Sequence, residues 1–406
     1  MPLCIVNSAG VLIRKEWVRK APELGEIVSK VVDGRGGRRG RAAIVIPTFR
    51  ADALMDEHLR RLSLQKSRSF DVIIVYSPGD GQVRETHGIR AVHIWRNWDG
   101  GSAGGFYVGE KYAVGEGYEF VILADNDCLP VSETLVESLV GAASGGLSMP
   151  YIISGQMPAS PNGIIAHYGC IGAGVLKEAG LTFLPFHMGG EDFELLGRIE
   201  GTGRKAQYTR DTAAHPASSL IACPPSKAFG YLRGGGIKRI LLDPYQSAFA
   251  YFLASLMGAL AMFFLNPAIS LAMLAGLFSA AGMDFSAWKG ESGAPQAGKP
   301  AGILYGQAGA LEYFFRLPGY FGREVVFEDR AGLQGIPVLF LARRAWLKSQ
   351  GKGYLISDNR TYFLFPLRVL VVLAAFPLAA LAALLLCSAG YLNKMRLGIR
   401  TYGYGK

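Results

Sequence analysis

Tyr118-Glu119-Phe120-Val121-Ile122-Leu123-Ala124-Asp125-Asn126-Asp127 decides the fold. The run from Tyr118 to Ala124 has the length and apolar character of a buried strand. It stops at two carboxylates separated by one residue. An open α/β sheet binds its ligands at the carboxyl ends of its strands. Two hard oxygen donors there suit Mg²⁺ or Mn²⁺, and such an ion usually bridges to phosphate. The alternative is an Asx-rich turn leading into Cys128-Leu129-Pro130. The flanking segments favour the metal reading.

Upstream, Ala42-Ala43-Ile44-Val45-Ile46 is a second buried-type strand, stopped by Pro47-Thr48. Asp52 to Gln65 has helical spacing, with Leu54, Leu59 and Leu62 on one side. Val72 to Val75 and Ala91 to Trp95 are further strands. Strands alternating with helices imply an α/β domain with a mostly parallel sheet. Between Ala91–Trp95 and the Tyr118–Ala124 strand lies Asn97-Trp98-Asp99-Gly100-Gly101-Ser102-Ala103-Gly104-Gly105-Phe106. Such glycines let a backbone approach a ligand closely, and the following helix N-terminus favours phosphate. The spacing matches neither a Walker A loop nor a dinucleotide fingerprint.

Two more constellations lie downstream. Gly189-Gly190-Glu191-Asp192-Phe193-Glu194 opens a helix, with Arg198 four residues after Glu194. Acidic residues in a first turn are ordinary dipole partners, but an acid at such an edge is also where a general base is useful. His215, in Ala213-Ala214-His215-Pro216, offers a neutral imidazole to a divalent ion.

The chain has 406 residues, a net charge of +10 and 50% hydrophobic residues, which exceeds one ordinary domain and favours anionic partners. No nucleic-acid motif is present, so nucleotide and membrane are preferred as partners. The five cysteines lack metal-ligand spacing and suit a reducing, cytosolic face. No signal peptide is read at the start. Ser247 to Met283 carries no charge until Asp284, and Asn266-Pro267 divides it into arms of about 248–265 and 268–283. Val369 to Asn393 reads as a single span despite Pro377. The expected organisation is an N-terminal segment and basic linker at 1–41, a catalytic domain at 42–235, and a membrane region at 236–406. The last comprises a hairpin near 247–283, interfacial helices near 300–366 and a transmembrane helix near 367–393. This makes an integral membrane protein with its catalytic domain on the cytoplasmic side.

Taken in order, these elements resemble the family-2 inverting glycosyltransferases of GT-A (Rossmann-like) fold, across roughly residues 42–220. Ile44 to Arg50 looks like the family's first strand and nucleotide-binding loop, which implies that Pro47, Thr48 and Arg50 contact the donor. Asn97 to Gly109, with Gly104 and Gly105, is similar to the glycine-rich segment of the rhamnosyl- and galactofuranosyl-transferase branch. Asp125-Asn126-Asp127 matches the D-x-D position. Glu191-Asp192 matches the E-D motif, whose Asp is the base, and His215 sits where many members place a third metal ligand.

The resemblance implies that Asp125, Asp127 and His215 hold Mg²⁺ or Mn²⁺ against the diphosphate of a nucleotide-sugar, with Glu191 and Arg198 in support. Asp192 would deprotonate the acceptor hydroxyl. The usual acidic pair after the second strand is reduced to Asp80, in Tyr76-Ser77-Pro78-Gly79-Asp80. Likeness to membrane-bound lipid-glycan synthases suggests GDP-mannose as donor, then UDP-sugars or dTDP-rhamnose, and a polyprenyl- or dolichyl-linked acceptor. A processive polysaccharide synthase is the rival enzyme, disfavoured because Q-x-x-R-W is missing around Arg344-Ala345-Trp346. A non-catalytic nucleotide-sugar sensor or scaffold is the rival of another class.

Overall fold

The computed structural model describes residues 23–37, 39–48, 53–80, 83–154, 159, 161, 164–215, 225–242, 245–263, 267–282 and 365–396. The described residues divide into two compact units, the first holding those up to residue 215 and the second those from residue 225 onward.

The first unit is built on one nine-stranded mixed sheet. A short helix α1 (Leu24–Ile27) leads into β1 (Val28–Asp33). Then come β2 (Ala42–Thr48), α2 (Ala53–Leu62), β3 (Phe70–Tyr76), β4 (Ala91–Arg96), α3 (Gly101–Gly115) and β5 (Phe120–Ala124). They are followed by β6 (Leu129–Pro130), α4 (Leu135–Ala142), β7 (Leu147–Ser154), β8 (His167–Gly172), α5 (Ala173–Ala179), α6 (Glu191–Gly201) and β9 (Gln207–His215). The strand order is β1-β4-β3-β2-β5-β8-β7-β9-β6. The four strands expected from sequence, β4, β3, β2 and β5, run parallel side by side.

Side-chain alternation divides the core into two layers. Ala43 and Val45 of β2 face Phe106, Tyr107 and Val108 of α3, while Ile44 and Ile46 face Met55 and Leu59 of α2. On α2, Met55 is buried and Leu54 is exposed, so the inward stripe runs through Met55, Leu59 and Leu62 rather than through Leu54. Gly105 and Gly109 let α3 lie directly on β2. A Cβ on Gly105 would stand 2.5 Å from Pro47 Cβ, and one on Gly109 would stand 2.2 Å from Val45 Cγ1. Gly105→Ala should therefore lower stability by about 1–3 kcal/mol through overpacking. Urea unfolding with no change in midpoint would refute that contact.

The N-terminal segment differs from expectation. Val28–Asp33 pairs antiparallel with β4 and forms an edge of the sheet. The basic stretch after it folds back on the domain. Arg35 is hydrogen-bonded to Asp33, Glu116 and Tyr118, and Arg41 pairs with Glu119. These two arginines find carboxylates of the same unit.

The second unit contains α7 (Pro225–Leu242), α8 (Tyr245–Phe263), α9 (Pro267–Ala281) and α10 (Phe365–Arg396). The expected domain limit at 235 falls inside α7. The two hairpin arms appear as α8 and α9. With 15 residues, α9 is about 22 Å long, shorter than a ~30 Å hydrocarbon core. In α10, Phe376–Asn393 is one helical stretch long and apolar enough to cross a membrane. The expected interfacial helices near 300–366 lie outside the described residues, apart from the first two residues of α10.

Candidate functional site

The parallel strands β4, β3, β2 and β5 all end at one sheet edge, and the sequence there places Asp125-Asn126-Asp127. Two strand pairings then deliver histidines to that loop. β8 runs antiparallel to β5 and sets His167 opposite Ala124. The Asp125 N–H donates to the Ala166 carbonyl at 2.7 Å, which fixes the loop beside His167. Beyond the loop, β6 pairs with the end of β9, Leu129 opposite Ala214, next to His215.

The resulting geometry is a compact cluster. His167 Nε2 lies 3.7 Å from Asp125 Oδ2, and His215 Nε2 lies 3.3 Å from Asp127 Oδ1. The two imidazoles stack at 4.3 Å. One donor atom each from Asp125, His167 and His215 lies within 4.8 Å of the others. A divalent ion with bonds of about 2.1 Å holds adjacent donors about 3–3.5 Å apart. The donor set of carboxylate and imidazole therefore fits such an ion with small side-chain adjustment. Burial pushes His167 down to about 3, aided by His215 and opposed by Asp127, so its ring is neutral and keeps a lone pair for coordination. Cys128 is adjacent, but burial and the two carboxylates push its thiol well up, so it is no thiolate ligand.

A second layer holds this loop. His58 of α2 is fully buried and contacts the Asn126 carbonyl through Nδ1 at 3.2 Å, while Nε2 meets the Tyr168 hydroxyl. A carbonyl only accepts, so Nδ1 carries the proton and Nε2 accepts from Tyr168. Burial pushes His58 down to about 4, which keeps it in that neutral form. Tyr168→Phe removes the donor and leaves a buried acceptor unsatisfied, at an expected cost of about 1–3 kcal/mol. An unchanged urea midpoint would disprove the bridge.

The E-D segment reaches the same edge by another route. The N-terminus of α3 follows directly from β4, and Gly105 of α3 rests on Pro47 near the end of β2. The Ala103 N–H donates to the His187 carbonyl at 3.1 Å. Gly101 adopts φ +62°, and a Cβ on it would strike that same carbonyl at 2.1 Å. His187 itself sits at φ 62°, ψ −61°, with Met188 N–H bonded back to Phe186 at 2.7 Å. This is the strained form of γ-turn, and it delivers Gly189 and Gly190, both left-handed, to the start of α6.

Glu191 is buried and accepts a hydrogen bond from Ser102 Oγ of α3. Burial first, then the neighbouring Asp192, hold its carboxyl well above the usual carboxylate range. Asp192 is half-buried, and its Oδ1 accepts from the Phe193 N–H at 2.8 Å.

Other sequence candidates have different places. Arg198 is buried, bonded to Glu194 (3.0 Å between Nη2 and Oε2) and to the carbonyls of Ala179 and Leu181. It ties α6 to α5, a structural role in place of nucleotide contact, because these groups engage all three guanidinium nitrogens. Asn97 is exposed, and its amide donates to the Glu26 carbonyl at 2.9 Å. Gly104 packs against Trp98 and Gly105 against Pro47, so both glycines serve helix packing. Thr48 is buried, and its carbonyl accepts from Ser77. Asp80 is half-buried after β3, with its carbonyl taking the Trp95 indole N–H at 2.7 Å. Arg96 links this strand end to α3 through Ser77 Oγ and the Gly101 carbonyl. Arg50 lies outside the described residues.

Sequence reasoning missed His167, His58, Tyr168 and Ser102. No spacing ties them to the site: the β5–β8 pairing brings His167 and Tyr168, His58 reaches the loop from α2, and Ser102 meets Glu191 from α3.

No protein-family model matches the sequence, and no curated protein matches it. Among solved structures, it is similar to the mannosyltransferase PcManGT from Pyrobaculum calidifontis, in complex with GDP-Man and Mn²⁺. That match has 13% identity over 85% of this chain and 87% of that one, at a TM-score of 0.39. S. aureus TarS matches at 14% identity over 49% of this chain, with a TM-score of 0.36; this chain covers 39% of that one. TarS 1–349 in complex with UDP matches at 13% identity over 78% of this chain and 94% of that one, with a TM-score of 0.38.

Proposed function

We propose that this chain is a metal-dependent, inverting glycosyltransferase that moves a sugar from a nucleoside-diphosphate sugar to a lipid-linked glycan. The observation that carries the reading is the convergence of Asp125, Asp127 and His215 at the carboxyl edge of the sheet's parallel strands, with Glu191-Asp192 brought to the same edge by α3. Asp125, Asp127 and His215 would hold Mg²⁺ or Mn²⁺, which when bound offsets the charge gathering on the leaving diphosphate.

The chain's own groups supply the rest. Asp192 takes the proton from an acceptor hydroxyl as that oxygen bonds to the anomeric carbon. The bond from that carbon to the diphosphate oxygen breaks, and its electron pair leaves with the diphosphate. Attack from the face opposite the leaving group inverts the centre. Glu191, held toward its neutral form, positions Asp192 without adding a second full charge. The apolar α10 and the uncharged α8–α9 pair support a lipid-borne acceptor. GDP-mannose is the first donor to try, then UDP-sugars and dTDP-rhamnose.

The test is nucleoside-diphosphate release from a panel of donors, with and without Mn²⁺, using the purified chain and a polyprenyl-linked acceptor. Metal-dependent release from one donor is expected. Nucleotide binding without turnover on any donor would overturn the reading in favour of a sensor or scaffold.

A further inference from the structure

The β8 strand carries an irregularity at the metal loop. Leu123 pairs with Gly169, but Ala124 pairs with His167, so Tyr168 is an extra residue. Tyr168 takes φ +67°, a left-handed conformation that a bulky residue rarely adopts. Such bulges re-aim a side chain and are frequent beside functional sites. Without the bulge, period-two alternation would turn His167 to the other face of the strand. With it, His167 stacks on His215, and its Nε2 stands 3.7 Å from Asp125 Oδ2, beyond hydrogen-bond length for that pair. Tyr168 is itself locked by His58, which also holds Asn126. One buried histidine therefore fixes both the bulge and the carboxylate loop.

We propose that His167 is a metal ligand alongside Asp125, Asp127 and His215, and that this two-imidazole set makes the site prefer first-row transition ions to Mg²⁺. The proposal rests on the metal site of the function proposed above. Carboxylates alone suit Mg²⁺, whereas imidazole nitrogen favours later divalent ions in the order Mn²⁺ below Co²⁺. Mg²⁺ also keeps its water shell and tolerates few dedicated protein ligands. A bulge that presents a second nitrogen therefore works against Mg²⁺ and for Mn²⁺ or Co²⁺.

The test uses the full chain and the ions alone. Pulsed electron paramagnetic resonance of bound Mn²⁺ should show two imidazole nitrogens in the wild type and one in His167→Gln. Calorimetric titration should show the Co²⁺-to-Mg²⁺ affinity ratio falling by roughly tenfold or more in His167→Gln, since a nitrogen donor is lost. A single nitrogen in the wild type overturns the proposal while leaving the site itself intact. So does an unchanged ratio in a folded variant. If His167→Gln fails to fold, the wild-type nitrogen count decides. If the wild type binds none of the three ions, the metal site falls, and this proposal with it.

Discussion

Asp192→Asn should fold, bind the nucleotide-sugar as the wild type does, and transfer sugar about 10²–10⁴-fold more slowly, the usual range for loss of a general base. The substitution suits the question because Asp192 Oδ1 already accepts the Phe193 N–H, and the Asn amide oxygen can keep that bond. The capacity to take a proton is lost, together with the carboxylate's charge. Glu191→Gln is the internal contrast. Glu191 is buried against Ser102 and held toward its neutral form, so the amide resembles the state it already occupies, and the loss should be smaller. Calorimetric donor binding and single-turnover transfer on both variants decide the matter. Undiminished transfer by Asp192→Asn would remove the base assignment, and a larger loss for Glu191→Gln would move it to Glu191.

The fold's centre was legible because β2, β3, β4 and β5 are short apolar runs buried on both faces, a pattern that needs no partner to be recognised. β1 was not, because Val28-Ser29-Lys30-Val31-Val32-Asp33 is a half-exposed edge strand whose only signal is its pairing with β4. β9 is similar: Gln207 to His215 is polar along most of its length, and its place follows from pairing with β7 and β6. A strand whose burial is supplied by neighbours leaves little periodicity of its own.

The candidate site divides on the same principle. Asp125 and Asp127 could be read because they stop a strand, and chain order alone puts them at the sheet edge. His167 could not, since its place depends on the antiparallel register of β8 and on one bulged residue. The glycines of Gly104-Gly105 are a different case. The sequence suggests backbone approach to a phosphate, and the protein neighbours of those positions are Trp98 and Pro47. A glycine records that something comes close without saying what does. Arg198 reads from sequence only as a residue four after Glu194, and the structure adds the Ala179 and Leu181 carbonyls to its partners.

Asp125→Ala should lose divalent-ion binding and cut transfer by roughly 10³-fold or more, since an ion that neutralises a leaving diphosphate contributes several kcal/mol to the transition state. Stability should change little. The loop is held through the main chain of residue 125, whose N–H reaches Ala166 and whose carbonyl accepts from Cys128, and Ala keeps both bonds. The side chain is half-exposed, and its removal also takes a negative charge away from Asp127. Loss of metal binding with an unchanged unfolding midpoint is therefore the expected pair of results. Metal binding and transfer both near wild-type levels would show that Asp125 is only a turn residue. Asp127→Ala separates the two carboxylates. His215 Nε2 stands 3.3 Å from Asp127 Oδ1, so that variant removes the carboxylate nearest this imidazole. Metal affinity should then fall even though Asp125 and His167 are untouched. A site built from two strand pairings should fail when either half is removed, whereas an ordinary Asx turn should tolerate both changes.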